Sequence, residues 1–99
     1  MRKKLPNRRH QVTTKVKVEG ITLHICVGFY GDDRPGELFL DASKQGSAVR
    51  HWSHATARLV SLLLQHDVPA LEIAKALRHS NSEMIEAVAD ALTEFGGGR

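Results

Sequence analysis

Four side chains in this sequence have the types of a zinc set. His24 and Cys26 stand two apart, and His51 and His54 stand three apart. Imidazole nitrogen and thiolate sulfur in sets of four bind zinc tetrahedrally. A period of two puts His24 and Cys26 on one face of a strand, and a spacing of three puts His51 and His54 one turn apart on a helix. Both pairs are expected to point away from the apolar layer between strand and helix. They would then lie on opposite sides of the domain, so they read as surface histidines and no metal site is assigned. Cys26 with His24 as its base is the other reactive pairing. A reactive thiolate needs a helix N-terminus or nearby cations to lower its pKa, and neither adjoins this strand. Cys26 reads as a small, half-buried structural residue. There is no nucleophile elbow, no phosphate-binding loop and no dinucleotide fingerprint. No catalytic residue and no cofactor follow from the residues.

Charge supplies a second candidate site. The chain has 99 residues and a formal charge of +3, but Arg2, Lys3, Lys4, Arg8 and Arg9 carry five positive charges in the first nine positions. The rest holds nine Lys or Arg against eleven Asp or Glu, so the body is mildly acidic. A basic arm of this kind can contact phosphates of nucleotides or nucleic acid. It has no aromatic residue on which a base could stack, and the competing reading is a solvated tail.

These candidates must be held by some set of elements. Thr14, Val16 and Val18 alternate with Thr13, Lys15 and Lys17, a β-branched strand pattern. Ile21, Leu23, Ile25, Val27 and Phe29 alternate with Thr22, His24, Cys26, Gly28 and Tyr30 in the same way. Glu19-Gly20 is a two-residue hairpin link, and Gly31 to Gly36 holds most turn-forming residue types. Leu38 and Leu40 resume an apolar face. These segments predict a three-stranded antiparallel meander, wet on one side.

Ser47 is the expected N-cap of a long helix to about Gln65. Its apolar residues fill an arc of about 200°, wider than the ~100° stripe that one packing partner covers. Pro69 suits the first turn of a short helix to Arg78, with Leu71, Ala74 and Leu77 inward. Ser80 and Glu83 have capping-box spacing before a third helix with Met84, Ile85, Val88, Leu92 and Phe95 inward. Gly96 ends it. The outline of residues 69–95 imitates a helix-turn-helix, but residues 80–95 hold four acids and no Lys or Arg. Such a face repels DNA, so two packing helices are the better account.

The expected fold class is therefore α+β: a three-stranded antiparallel β-meander covered by one long helix, followed by two shorter helices. Residues 1–10 form the basic arm, 11–95 one domain, and 96–99 a Gly-rich tail. A chain this long buries roughly 60–70% of its unfolded surface, enough for one core. No apolar run approaches the ~20 residues of a membrane span. A single cysteine and no secretory leader fit a cytoplasmic setting.

The order of particular residues also resembles a known family. Lys4-Leu5-Pro6 and Arg8-Arg9 open the chain. Val27-Gly28-Phe29 precedes the turn, and Glu37-Leu38-Phe39 follows it. Lys44 and Gly46-Ser47 then lead to a helix ending Ser61-Leu62-Leu63-Leu64-Gln65-His66-Asp67-Val68. From about Arg2 to Leu77 this is similar to the TSCPD domain. That domain lies near the C-terminus of cobalamin-dependent (class II) ribonucleotide reductases and occurs as short free-standing proteins. Asp67 stands where the family usually has Gly, and the tetrad that names the domain is not legible. The resemblance brings no catalytic barrel and no paired cysteines, and a lone Cys26 cannot perform dithiol reduction. It therefore implies an association with ribonucleotide reduction rather than the activity itself.

The functional expectation is a non-catalytic accessory or interaction module, with a ribonucleotide reductase subunit among its partners. A nucleic-acid binder using the arm, Lys15 and Lys17 is the alternative. The surplus apolar arc of the first helix and the open sheet edges point to a homodimer through Trp52, Val60 and Leu64, or through the sheet margins. The opening also bears on stability. If Leu5 and Pro6 anchor the arm, deleting residues 1–10 will clearly lower the melting temperature. An unchanged melting curve would show that the arm only solubilises.

Overall fold

The computed structural model describes residues 2–42 and 46–96, apart from the side chain of Ser47. Lys44 and the tail beyond Gly96 lie outside the described residues. The order is β1 (Gln11–Val18), β2 (Ile21–Phe29), β3 (Pro35–Asp41), α1 (Ser47–Gln65), α2 (Ala70–Leu77), a 3-10 turn at Arg78–Ser80, and α3 (Glu83–Gly96). The sheet is an antiparallel meander in the order β1-β2-β3. Glu19 and Gly20 both take positive φ, 52° and 77°, as a twisted two-residue hairpin turn requires. A bulge between Gly28 and Phe29 shifts the register, so Phe29 opposes Pro35 at the very start of β3. Proline there costs no ladder hydrogen bond.

Register follows from the apolar alternation. Val16 pairs with Leu23, Val12 with Val27, Val27 with Leu38, and Ile25 with Leu40. Their common face is the core, where Leu23, Ile25, Val27 and Leu38 are at most 1% exposed. Burying each such side chain contributes roughly 1.5–3 kcal/mol. The opposite face carries the row Thr13, Cys26, Phe39 and the row Lys15, His24, Asp41.

Two helices share the cover. α3 reaches all three strands and buries Val88 and Leu92 in the common core. Phe95 meets Phe29 edge to face, with centroids 6.1 Å apart and planes at 83°, a favoured aromatic geometry. α2 packs on α3. α1 packs chiefly along β3, and it does so through the strand's free edge. The Leu38 N–H donates to Ser61 Oγ at 2.8 Å, and the Ser61 hydroxyl donates to the Leu38 carbonyl at 3.1 Å. Gln65 Nε2 donates to the Gly36 carbonyl at 3.0 Å. Unpaired edge groups that would otherwise need water or another strand are thereby satisfied.

Several local expectations need correction. α1 begins at Ser47 itself with Gly46 at the N-cap position. Ser80 does not cap α3. It closes the 3-10 turn, Asn81 then takes a left-handed φ of 57°, and Ser82 Oγ accepts from the Ile85 N–H at 3.3 Å. The cap thus sits two residues later, directly before the first helical turn. In α2 the buried residues are Ala70, Ile73 and Ala74, whereas Leu71 is exposed. All of this short helix but Glu72 and Lys75 is apolar, so the pattern does not fix its phase, and its packing on α3 selects the alanine–isoleucine side.

The edge contact generates a test. Ser61→Ala leaves both backbone groups of Leu38 without their partner. Leaving such groups unsatisfied costs about 1–3 kcal/mol, and urea denaturation should show a lowered midpoint with an unchanged slope. An unchanged midpoint would show that this seal contributes nothing.

Candidate functional site

The N-terminal arm folds back onto the junction of β2, β3 and the end of α1. Its backbone is held first. The Lys3 N–H donates to the Gln65 carbonyl at 2.6 Å, and the Tyr30 hydroxyl donates to the Lys3 carbonyl at 2.6 Å. Arg2 Nε donates to Gln65 Oε1 at 2.5 Å. Gln65 is 6% exposed, and its amide ties the arm on one side to β3 on the other. Leu5 lies over Gly36. A Cβ at that glycine would come within 2.7 Å of the Leu5 methyl and of the Tyr30 ring, closer than side chains pack.

Further along, Arg9 forms an ion pair with Glu37 and also donates to the Pro6 carbonyl at 2.8 Å. The carboxylate raises the Arg9 pKa, chiefly through their hydrogen bond. Glu37 lies across Gly28, where any Cβ would collide with it. The His10 carbonyl accepts from the Phe29 N–H at 2.9 Å, joining the arm to the sheet.

Tyr30 sits at the centre of this corner. The Lys3 ammonium and the Arg34 guanidinium each lie 5.3 Å from its ring centroid, within cation–π range. Burial pushes the phenol pKa up, and the charge of Asp67 pushes it further the same way. Arg34 bridges Asp32 at 2.8 Å and Asp67 at 3.2 Å. Its pKa is raised by the Asp32 hydrogen bond first and the Asp67 one second, and the Arg34 hydrogen bond lowers that of Asp32.

Of the five cations expected to contact phosphate, Arg2, Lys3 and Arg9 are engaged with the body in these ways. Arg2, Lys3, Lys4 and Arg8 are all exposed, and of the five only Arg9 is half-buried. Of the three expected interface residues, Trp52 is 74% exposed, but Val60 and Leu64 are 3% and 4% exposed inside this chain's own core. They lie on the side of α1 that faces the sheet and α2, so they cannot form a surface contact. The exposed large apolar residues of α1 are instead Trp52, Leu59, Leu62 and Leu63.

His54 reaches the sheet margin beside the strand row that holds Cys26. His54 and Phe39 line one groove of about 640 Å³ beside β3, and Phe39 is the cross-strand neighbour of Cys26. Because α1 lies along the edge of β3, its outer side comes round towards the open sheet face. Among the described residues, no three His, Cys, Asp or Glu are grouped so as to hold a metal ion.

The imitation of a helix-turn-helix resolves as packing. Arg78 donates to Glu86 and Asp90, both at 2.9 Å, and so binds the 3-10 turn to the acidic face of α3. On the other side of α1, Leu23, Leu40, Trp52, Thr56, Met84 and Ile85 line an apolar pocket of about 420 Å³. Among the described residues no helix is long and apolar enough to cross a membrane.

Fold and corner together define a small α+β domain: an edge-sealed meander whose N-terminal arm is clamped by one glutamine and one tyrosine. The chain belongs to the TSCPD domain family, whose model matches residues 1–96. It is 40% identical over 82 residues to a vitamin B12-dependent ribonucleotide reductase of Agrobacterium fabrum, covering 83% of this chain and 6% of that protein. A protein of the same name from Rhodopirellula baltica is 33% identical over 82 residues, covering 83% of the chain and 8% of that protein. One from Streptomyces clavuligerus is 41% identical over 69 residues, covering 70% and 7%. The chain thus spans 6–8% of the length of these relatives. No solved structure is a significant match.

The residues that the sequence reading missed are Tyr30, Gly36, Ser61 and Gln65. Only Ser61 and Gln65 carried a signal, as members of the Ser61–Val68 run of the family resemblance. The clamp can be tested at Tyr30. Tyr30→Phe removes the bond to the Lys3 carbonyl and should cost about 0.5–1.5 kcal/mol. The phenol's pKa is raised on folding, so its contribution is full below the free value of about 10. It is lost as pH climbs through the higher folded value. The wild type should therefore lose this stability increment in alkali, and the Phe variant should show no such step. Equal stability of the two at pH 7 would remove Tyr30 from the clamp.

Proposed function

We propose that this chain is a non-catalytic accessory module associated with ribonucleotide reduction, acting by docking to a partner protein in a reducing, cytoplasmic setting. The observation that carries the reading is the pairing of a family match over almost the whole chain with 6–8% coverage of the relatives. A match of that size corresponds to one domain of those much longer proteins. One cysteine in the whole sequence cannot sustain dithiol exchange by itself. Exposed leucines and an exposed tryptophan on one helix support docking, since large apolar side chains cluster at interfaces.

A homodimer is the competing use of that helix, and nucleic-acid binding by the arm is the competing class. The arm reading is weakened by the engagement of Arg2, Lys3 and Arg9 with the body. Three measurements separate these readings. Immobilised chain should retain a vitamin B12-dependent ribonucleotide reductase at micromolar concentration. Sedimentation equilibrium of the chain alone reports any dimer. Oligonucleotide titration at two salt concentrations reports phosphate contacts, whose affinity must fall with salt. Failure to retain the reductase, together with salt-dependent oligonucleotide binding, would replace the proposal with the nucleic-acid reading.

A further inference from the structure

One side of α1 is left exposed, and at its Trp52 end it borders the apolar pocket shared with Leu23, Leu40, Met84 and Ile85. Along it Trp52, Ala55, Leu59 and Leu62 recur at alternating spacings of three and four, and all four are exposed. Leu59 is 63% exposed and Leu63 widens the stripe. Apolar residues alternating in this way form the a/d seam by which one helix packs along another. The core-facing side of α1 is a separate set, Ser53, Ala57, Val60 and Leu64. The outer seam is therefore surplus to the fold of this chain.

Charge narrows what fits the seam. From Ala42 to His66 the sequence has no Asp or Glu, while it holds Lys44, Arg50, Arg58 and three histidines. Leu59 and Leu62 share their groove with Arg2, His54 and Arg58. The one acid lining that groove, Glu37, is already paired with Arg9. Residues beside an a/d seam set partner choice through charge.

We propose that the outer seam of α1 is a docking surface for an acidic amphipathic helix of a partner protein, with leucine-type residues on its seam and Glu or Asp beside them. A second copy fits less well: it would bring its own Arg58 and His51 to the flanks and no acid to answer them. The inference deepens the reading of the chain as an interaction module, and it can fail separately from that reading.

Trp52 is the sole tryptophan, so its fluorescence reports the seam directly. The probe is a synthetic helix with leucine at its a and d positions and glutamate at the flanking ones. A counterpart carries lysine in place of glutamate. Titrated into the full chain, the glutamate peptide should shift Trp52 emission to the blue with saturation, at least about tenfold tighter than the lysine peptide. Arg58→Glu should invert that order. Leu59→Asp should abolish the shift while leaving the circular dichroism unchanged, because Leu59 lies outside the core.

No shift with the glutamate peptide, or equal affinity for the two peptides, overturns the proposal. So does a chain that alone sediments at twice its 11.0 kDa with Trp52 already shielded, since a second copy then fills the seam. A shift seen only with anionic phosphatidylglycerol vesicles overturns it in favour of a lipid surface. If the Leu59→Asp chain still retains the reductase, the accessory role stands and this surface is not its means.

Discussion

The free edge of β3 constrains everything else in this molecule. A three-stranded sheet of this length has two open edges, and each exposes backbone donors and acceptors that template further strands. At β3 a helix closes that edge instead of a strand. Ser61 answers both backbone groups of Leu38, and Gln65 answers the carbonyl of Gly36. A single hydroxyl that both donates and accepts is suited to this task, because an edge residue presents one group of each kind. Once Ser61 and Gln65 are fixed against β3, the rotation of α1 about its axis is fixed too. Val60 and Leu64 must then turn into the core, and Trp52, Leu59 and Leu62 must turn out.

The same constraint explains why the arm folds back. Gln65 uses its amide nitrogen on β3, which leaves its carbonyl oxygen buried and in need of a donor. Arg2 supplies it, and the main chain of Lys3 takes the neighbouring backbone carbonyl of Gln65. Buried amide groups with one end unmet are costly, so the arm and the edge seal depend on one another. Tyr30 and Gly36 complete the corner. The ring needs a neighbour without a side chain, and its hydroxyl reaches the arm's backbone only because Leu5 can lie flat on that glycine.

How much of this was legible depends on whether a residue acts through periodicity or through one bond. The strands were legible because alternation of Ile21, Leu23, Ile25 and Val27 has no other stable reading. The hairpin at Glu19-Gly20, the long helix and the packing role of α2 and α3 followed from equally regular signals. The rotation of α1 was not legible. Its apolar arc is so wide that Val60 and Trp52 look equivalent on a helical wheel, and only the Ser61 contact distinguishes them. Capping was legible in kind but not in place, since Ser80 and Ser82 are both suitable and the left-handed Asn81 decides between them. Asp67 illustrates a third case. It stands where the resembling family has glycine, and its φ of 65° explains why. It occupies the left-handed position that closes α1, with the Val68 N–H reaching back to Leu63 and the Asp67 N–H to Leu64. Aspartate tolerates that conformation better than most residues, and here it also meets Arg34.

A helix that seals an edge cannot also be wrapped on every side. α1 has about 360° of surface to place; the β3 edge and the core take one part, and α3 stops short of the rest. Among the described residues the remaining stripe stays uncovered, and the relatives from Agrobacterium fabrum and Rhodopirellula baltica are more than ten times the length of this chain. The leucines at 59, 62 and 63 are thus exposed for a reason rooted in the edge seal. Leu59 and Leu62 border a groove with Leu38, Phe39 and Leu40 of β3. Side chains carried on a folded helix have less conformational entropy to lose in a contact than the same side chains on a disordered segment.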